Sequence, residues 1–294
     1  MACDRTVICT NEDGFFLKFN EVEFNPFFLA GVEGIYDAEN IVYVSQNSMI
    51  DGAVYQGSVA KYRNIVLRLK DKDNYPENRN LLNRLFKEKA KGTLVFQEAD
   101  ASPRKIDYYV ESMESSEDYF PRVHEISLIC PDPFFYDLDA SSEEMASWVS
   151  AFTFPFASPS TGFIFGYKDN SRIQTIQNDI AEDNIGITVI MSCMGGVTNP
   201  SITHIETNDS IHIGHESKPF EMITGDIVTI TTATGNKHVT LTRDGQTSEI
   251  NHYLTEDSVF IQLMRGSNSF GFGADSGVNN LTITLEYTYK YARA

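Results

Sequence analysis

The sequence is short of cysteine, tryptophan and cationic side chains, and it contains no long apolar run. Its 294 residues include one tryptophan, Trp148, and four cysteines: Cys3, Cys9, Cys130 and Cys193. The cysteines lie far apart and form no C-x-x-C pair, so no disulfide framework is expected. No stretch approaches the roughly 20 apolar residues that a membrane helix needs. A soluble protein that folds in a reducing cytoplasm is therefore expected, without membrane insertion.

The shortage of cations leaves a net charge of −18, from 41 acidic and 23 basic side chains. The charge is evenly shared, because residues 1–140 carry 24 acidic and 15 basic residues (24 − 15 = 9) and the remainder carries 17 and 8 (17 − 8 = 9). Such a surface repels phosphate backbones and anionic lipid headgroups. Nucleic acids and anionic membranes are therefore not expected as partners.

The stretch from Ile126 to Tyr136 indicates where a first domain ends. Alternating apolar residues predict a strand that runs to Cys130, and Pro131 and Pro133 then stop it because neither can donate to a β-ladder. An aromatic cluster follows, and after it the chain turns acidic. We therefore expect a first domain at 1–140, a linker at 141–155 and a second domain at 156–294.

Residues 1–140 predict an α+β domain. Strands are expected at Arg63–Lys70 and Ile106–Glu111, where apolar and polar residues alternate. A helix is expected over 76–91, with a capping box from Asn74 to Glu77 and Gly92 as its stop. The apolar stripe of this helix consists of Leu81, Leu82, Leu85 and Phe86. One helix flanking a mostly antiparallel sheet is the expected arrangement.

The second half predicts strands throughout. Asp244-Gly245 and Thr234-Gly235-Asn236 each separate two alternating runs, which is a strong hairpin signal. A long final strand is expected over Leu281–Tyr291. Short strands separated by turn residues indicate a β-sandwich or jelly roll.

Motifs that could carry chemistry do not find the context that they need. His212-Ile213-Gly214-His215 spells the HIGH motif of class I aminoacyl-tRNA synthetases, but it lies in a β-rich region without the K-M-S-K-S partner. The same histidines lack a third metal ligand, and residues 71–82 lack the glycine and glutamate of an EF-hand loop. A glycosidase carboxylate pair stays open, because acidic residues are plentiful. No catalytic residue, metal or cofactor is predicted.

A basic segment is the feature that suggests self-association. Residues 61–91 hold ten basic and four acidic side chains, whereas residues 1–60 hold nine acidic and two basic ones. Contact between the two segments of identical subunits would close a ring, and a solvated charged face is the alternative reading. The predicted interface residues are Asp51, Gly52, Lys61, Arg63, Arg68 and Arg84. Reversing Arg63 and Arg84 together is expected to weaken the ring and leave the monomer folded.

Taken in order, several motifs resemble the distal tail protein (Dit) family of siphovirus-type phage tails. The resemblance covers nearly the whole chain and is most specific over 51–136. The similar positions are Asp51-Gly52 with Gly57, the strand from Arg63, the helix at Leu81–Phe86, the strand Gly92–Phe96, Cys130, Pro131, Pro133, Phe134 and Tyr136, Gly225-Asp226, Leu263–Asn268 and Leu281–Tyr291.

This resemblance implies a mainly β protein. Its N-terminal domain would be a split barrel with one flanking helix and an extended hairpin, and its C-terminal domain a galectin-like β-sandwich. Six copies would form a ring in the virion, assembled in the bacterial host cytoplasm. The ring would join the tail tube protein to the tail hub, and receptor-binding or accessory baseplate proteins would attach to the C-terminal domain.

Three functions from different classes follow from the sequence. The leading hypothesis is a structural adaptor of the tail tip or baseplate, and relatives of the family also serve contractile tails and tail-like bacteriocins. The alternative is a carbohydrate-binding module for host recognition, acting through the C-terminal sandwich, although a shared fold does not carry a shared site. The third is a cell-wall hydrolase.

Overall fold

The chain forms two compact units. A computed structural model describes residues 4–46, 51–71, 75–116, 121–145, 148–150, 166–168, 173–179 and 184–294. Unit 1 comprises Met1–Leu138 together with Lys290–Ala294, and unit 2 comprises Asp139–Tyr289. Each unit is built mainly from strands, so the mainly β fold expected from the sequence is confirmed.

In the N-terminal part of unit 1, the described residues form ten strands and one helix. In chain order these elements are β1 (Arg5–Asn11), β2 (Phe16–Asn20), β3 (Phe27–Glu33), β4 (Asn40–Ser45), β5 (Val54–Ala60), β6 (Arg63–Asp71), α1 (Tyr75–Leu85), β7 (Lys91–Glu98), β8 (Arg104–Ser115), β9 (Arg122–Cys130) and β10 (Phe135–Asp137).

Seven of these strands close into a barrel. The hydrogen-bonded order is β8-β7-β1-β2-β3-β6-β9, and β9 pairs with β8 again to close the cycle. Every neighbouring pair is antiparallel except β2 and β3, which meet through one parallel pair, Asn20 and Phe28. In β6, Ile65, Leu67 and Leu69 point into the core, as the alternation predicted. Closure leaves these strands without free edges along most of their length.

The helix is shorter than predicted. It ends at Leu85 rather than at residue 91, and Phe86 follows it and stacks on Phe19 in the barrel with ring centroids 6.4 Å apart. Asn74, the predicted capping residue, lies outside the described residues. No helix in the described part of the chain is long and apolar enough to cross a membrane.

Gly92 does not stop the helix as predicted, because it lies inside β7. A β-carbon at this position would lie 2.2 Å from the Thr10 carbonyl oxygen and 2.6 Å from the Tyr108 hydroxyl. The glycine is therefore required by a close approach between strands, which a sequence pattern does not distinguish from a helix C-cap.

The described residues of unit 2 form fourteen strands and two short 3-10 turns, Asn251–Tyr253 and Val278–Asn280. Its strands are β11 (Ser141–Glu144), β12 (Trp148–Ser150), β13 (Gly166–Lys168), β14 (Ile173–Asn178), β15 (Ile185–Cys193), β16 (Val197–His204), β17 (Asp209–His212), β18 (Glu221–Met222), β19 (Ile227–Thr231), β20 (His238–Arg243), β21 (Gln246–Glu249), β22 (Gln262–Leu263), β23 (Gly266–Ser276) and β24 (Leu281–Tyr287).

Two sheets of unit 2 enclose one core, so the predicted sandwich is present. One sheet has the order β11-β24-β15-β19-β20-β21 with β22 beside β15, and the other has the order β14-β23-β16-β17 with β18 beside β16. Val189 and Leu285 of the first sheet share a buried cluster with Ile202 and Phe270 of the second. The hairpin at Asp244-Gly245 is confirmed, because both residues have the positive φ of a type I′ turn, 51° and 75°.

The predicted domain boundaries need two corrections. The linker expected at 141–155 begins with a strand of unit 2, because β11 pairs with β24 from Ser141↔Tyr287 to Glu144↔Thr284. The long strand expected over Leu281–Tyr291 is broken after Tyr287. Its remainder forms β25 (Lys290–Tyr291), which pairs with β10 in unit 1. A period of two residues predicts which side chains share a face, but not which sheet a strand joins.

Substitution of Gly92 by alanine should destabilise unit 1 by about 3 kcal/mol, the upper end of the usual cost of overpacking, because backbone must move. Gly31→Ala is the matched control in β3, where a β-carbon meets nothing within 4 Å. Urea unfolding followed by tryptic protection of unit 1 measures the difference. Equal midpoints for the two variants would contradict the close approach at Gly92.

Candidate assembly surface

The hairpin of β4 and β5, residues 40–60 and hereafter the arm, is a two-stranded sheet of its own. Its strands pair from Asn40↔Ala60 to Ser45↔Val54. Every residue of both strands is exposed except Gly57, which is half-buried. Asp51 and Gly52, two of the predicted interface residues, are exposed before β5, and residues 47–50 lie outside the described residues.

The exposed side chains of the arm are apolar on both faces. Their exposed fractions run from 44% to 70% in Ile41, Val42, Tyr43, Val44, Val54, Tyr55 and Val59. Neither strand contains an acidic or basic residue. Proteins usually protect a solvent-facing strand with charges, proline or a cover, and a two-stranded hairpin is marginally stable alone. The arm therefore has the composition of a surface that a partner buries.

A bulge shapes the arm. The register shifts between Tyr43 and Val44, so that Gln56 on β5 has no opposite residue. Gly57, next to Gln56, has φ = 152°, a conformation that other residues rarely adopt. Bulges increase the local twist and redirect side chains. Gly57, one of the positions that resemble the Dit family, therefore shapes the arm at its bulge.

The root of the arm is held by the buried guanidinium of Arg63, which is 5% exposed. Its Nη1 donates to the carbonyl oxygens of Gly34, Ile35 and Asp37, which lie in the turn that leads into β4. Its Nε donates to the Pro133 carbonyl at 2.7 Å, and its Nη2 donates to the Ala292 carbonyl. Five carbonyl oxygens from three separate stretches of unit 1 therefore converge on one side chain.

Carbonyl oxygens and an aromatic ring surround the Arg63 cation. Its guanidinium lies 4.9 Å from the centroid of the Phe135 ring, in a cation–π contact. Burial lowers the pKa of Arg63, but the ordinary pKa of arginine is so high that the side chain remains charged. At Gly34 a β-carbon would lie 2.0 Å from the Asn64 carbonyl oxygen, so the turn lies directly on the backbone beside Arg63.

Arg63 is therefore not the exposed interface residue that the sequence suggested. The alternation of β6 contains the signal that was missed, because Arg63 is in phase with the buried Ile65, Leu67 and Leu69. A charge on the apolar face of a strand predicts a buried role. Reversing this charge would unfold unit 1 rather than leave a folded monomer, which corrects the expectation for the double reversal.

The other predicted interface cations contact groups of their own chain. Lys61 pairs with Glu39 at 2.7 Å, and Arg68 pairs with Glu33 and Glu125. The Arg84 guanidinium lies 4.2 Å from the centroid of the Phe15 ring. The pair between Lys87 and Asp13 joins the same two segments. The basic segment thus meets the acidic one within a single chain, and its contact with a neighbouring subunit stays a prediction.

The motif from Cys130 to Tyr136, which was predicted to end the first domain, has structural roles. Cys130 is fully buried, and burial raises the pKa of its thiol to about 12, so it is an unreactive core residue. Pro131 follows β9, and the carbonyl of Pro133 accepts from Arg63. Phe134 lies under the Lys290 ammonium at 3.7 Å, and the Tyr136 hydroxyl donates to Asp132 at 2.6 Å.

The Gly225-Asp226 motif of unit 2 fixes the turn before β19. Gly225 has φ = 91°. The Asp226 carboxylate accepts from Arg243 Nε at 2.8 Å and Nη2 at 2.5 Å, and from the Ile223 amide at 2.8 Å. The hydrogen bonds from Arg243 are the main reason why the pKa of Asp226 is lowered. The motif therefore holds a turn rather than a ligand.

The arrangement most similar to a catalytic one does not form an active site. Ser115 Oγ lies 2.8 Å from His124 Nδ1, and His124 Nε2 lies 3.5 Å from Asp71 Oδ1. The imidazole is fully buried, and this desolvation lowers the pKa of His124, so it is neutral and out of reach of a substrate. Within the described residues, no group of three or more His, Cys, Asp or Glu could hold a metal ion.

Comparisons with known proteins place this geometry in a context. Residues 181–291 match the family model for the C-terminal domain of the siphovirus-type tail component, SPP1 Dit. The solved structure of SPP1 Dit (gp 19.1), a paradigm of the hub adsorption apparatus in phages that infect Gram-positive bacteria, matches with a TM-score of 0.63 and 12% identity, over 97% of this chain and 99% of that one.

Two structures of the phage P2 baseplate in its activated conformation also share the fold. The one with Ca has a TM-score of 0.55 and 13% identity, and the one with Sr has 0.52 and 12%, each over 100% of both chains. No curated protein matches the sequence. The resemblance to the Dit family is thereby confirmed, although the identities are so low that the structures show the fold alone.

Replacing Arg63 with methionine should cost unit 1 at least about 3 kcal/mol, because five carbonyl oxygens lose the charged donor that they share. Arg84→Met is the matched control, since Arg84 lies at the end of α1 over one ring and should change stability by about 0–1 kcal/mol. Calorimetric melting of both variants measures this. A melting temperature for Arg63→Met within 1–2 °C of the control would contradict the role of the guanidinium.

Replacing Asp226 with asparagine should destabilise unit 2 by about 1.5–3 kcal/mol at neutral pH. Because the folded pKa of Asp226 is lowered, its contribution is complete above the unfolded value of about 4 and is lost as the pH falls through the folded pKa. The gap between wild type and variant should therefore narrow below about pH 4. Denaturant titrations across pH 2–7 measure it.

Asp244→Asn serves as the control for this variant. Asp244 is exposed at φ = 51°, where asparagine is equally tolerated, so its stability should stay within about 0.5 kcal/mol of wild type. A pH-independent gap for Asp226→Asn would refute the charged hydrogen bond as its cause.

Proposed function

We propose that this chain is a structural adaptor of a phage tail tip or baseplate. Six copies form a ring that joins the tail tube protein to the tail hub and the receptor-binding apparatus. The observation that carries the proposal is the arm, whose two strands contain no charged residue and expose apolar side chains on both faces. The protein acts in the virion, and its role is assembly rather than catalysis.

The arm supports ring formation for a physical reason. Two arms stacked on each other would cover one face of each and leave the other face exposed, whereas a head-to-tail contact can place the arm of one copy against a different surface of its neighbour. Head-to-tail contacts close into rings when the rotation between subunits is a fraction of a turn. Because the apolar side chains of the arm are about half exposed, burying each of them would contribute on the order of 1 kcal/mol to the contact.

Tail location is supported by the family match of residues 181–291 and by the fold shared with Dit and baseplate structures. Unit 2 is the attachment site that we propose for receptor-binding or accessory proteins. A sugar-binding role finds less support. Sugars stack on exposed aromatic rings, whereas the largely exposed apolar side chains in the described part of unit 2 are aliphatic: Ile173, Met194, Ile205, Ile223, Ile227 and Val259.

The double variant Val42→Glu with Val44→Glu should abolish rings without unfolding the protomer. Both side chains are more than half exposed, so the monomer tolerates charges there. Burying unpaired carboxylates costs the contact at least roughly 3 kcal/mol, which is about 100-fold in affinity. Size-exclusion chromatography with light scattering should find hexamers of the wild type and monomers of the variant.

The matched control carries the same two charges in unit 2. Ile205 and Val259 are 46% and 47% exposed, and their replacement with glutamate should leave the ring intact. A ring of six formed by the arm variant, or a wild type that stays monomeric at every concentration and with the tail tube protein present, would overturn the proposed function.

A further inference from the structure

The segment Lys290–Ala294 is bound to unit 1 like a peptide ligand. The chain reaches it only after passing through unit 2. Its strand, β25, pairs antiparallel with β10 through Phe135↔Tyr291 and Tyr136↔Lys290. Addition of a short strand to the edge of a sheet is a common mode of peptide recognition, in which backbone hydrogen bonds supply affinity and side-chain pockets supply specificity.

The side chains of this segment occupy specific places. The Tyr291 ring lies 3.7 Å from the Arg104 guanidinium and is 8% exposed, and its hydroxyl donates to Asp137 at 3.2 Å. The Lys290 ammonium lies over the Phe134 ring. Arg104 also donates to the carbonyl of Arg293. The rest of unit 1 thus contacts the backbone, the aromatic ring and the cation of the segment. These contacts together form a specific binding site for it.

The same site is connected to the arm through Arg63. One guanidinium nitrogen, Nη2, binds the Ala292 carbonyl, and the other, Nη1, binds the Gly34, Ile35 and Asp37 carbonyls at the root of the arm. The guanidinium is planar and rigid, so both sets of acceptors fix one orientation. When Ala292 is absent, Nη2 loses its acceptor and the guanidinium is freer to reorient. The hydrogen bonds to the arm root then weaken.

We propose that the groove formed by β10, Arg63 and Arg104 is a peptide-binding site that Lys290–Ala294 occupies in cis, and that its occupancy orders the root of the arm. We call the docked segment Lys290–Ala294 the latch. Its importance for assembly rests on the proposed function, because the arm is the proposed assembly surface. The order of events follows from the topology. The arm root becomes ordered only after the chain has continued through unit 2 and the segment Lys290–Ala294 has bound to its groove.

The experiment removes the segment and returns it as a peptide. The chain ending at Tyr289 is compared with the full chain by hydrogen exchange of the Lys61 amide, which donates to the Glu39 carbonyl at the arm root. Deletion should accelerate this exchange at least tenfold. The acetylated peptide of residues 288–294 should bind saturably and restore the slow rate, while the same peptide with Tyr291→Ala should not. Unchanged exchange after deletion, or no saturable binding, overturns the proposal.

A point variant of the full chain tests the latch even if the deletion prevents folding. Arg104→Ala removes the cation over Tyr291 and the donor to Arg293, and it should accelerate Lys61 exchange at least fivefold. Arg122→Ala is the matched control, because the Arg122 guanidinium lies 3.8 Å from the Tyr75 ring and does not touch the segment. Equal exchange in the two variants overturns the latch.

These measurements separate the latch from the proposed function. Exchange and peptide binding are recorded on protomers at low concentration, where no ring forms. A latch that behaves as expected in a chain that never forms rings would refute the ring and leave the peptide site standing. If the chain forms rings but the exchange rate of the Lys61 amide is the same with and without the segment, the latch alone is refuted.

Discussion

Unit 1 depends on one buried cation. Arg63 lies where the turn before the arm, the Pro133 stretch and the segment after unit 2 meet, and each presents carbonyl oxygens that strands do not satisfy. Buried carbonyls without a donor cost free energy, and irregular backbone is usually kept at the surface for that reason. A guanidinium offers five donors in one plane, so a single side chain satisfies three stretches. Lysine, with one nitrogen, could not reach them all.

The barrel and the arm solve the problem of strand edges in opposite ways. Because seven strands close into a barrel, β6 and β9 pair with each other, and each also pairs with a second strand on its other side. The arm leaves the edges of both its strands open, and these strands contain no charged residue, in a chain whose net charge is −18. Negative surfaces keep copies of a chain apart, while uncharged strands add no repulsion of their own. The contrast confines the tendency to associate to one element.

The sequence predicted several of the regular strands, and its errors have a common cause. Alternation located β6, β9 and the hairpin at Asp244-Gly245, because local patterns of two residues determine strands and tight turns. It failed at Gly92 and after Tyr287, where a contact distant in sequence decides the outcome. The arm was expected only from the resemblance, since a ribbon exposed on both faces has no alternation to detect. Arg63 was wrongly predicted to be exposed, because its charge was considered without its position on the buried face of β6.

The strand that was mistaken for a linker explains how the distant segment finds its site. Within unit 2, β11 pairs with β24, so Ser141 lies opposite Tyr287. Once this pair has formed, the connection from β10 to β25 is no longer a loop of some 150 residues. It is a short path through residues 138–140 and 288–289. The entropic cost of loop closure grows with the logarithm of loop length, so the pairing lowers this cost by roughly 3 kcal/mol. Folding of unit 2 therefore brings Lys290–Ala294 to β10, and through Arg63 it prepares the arm.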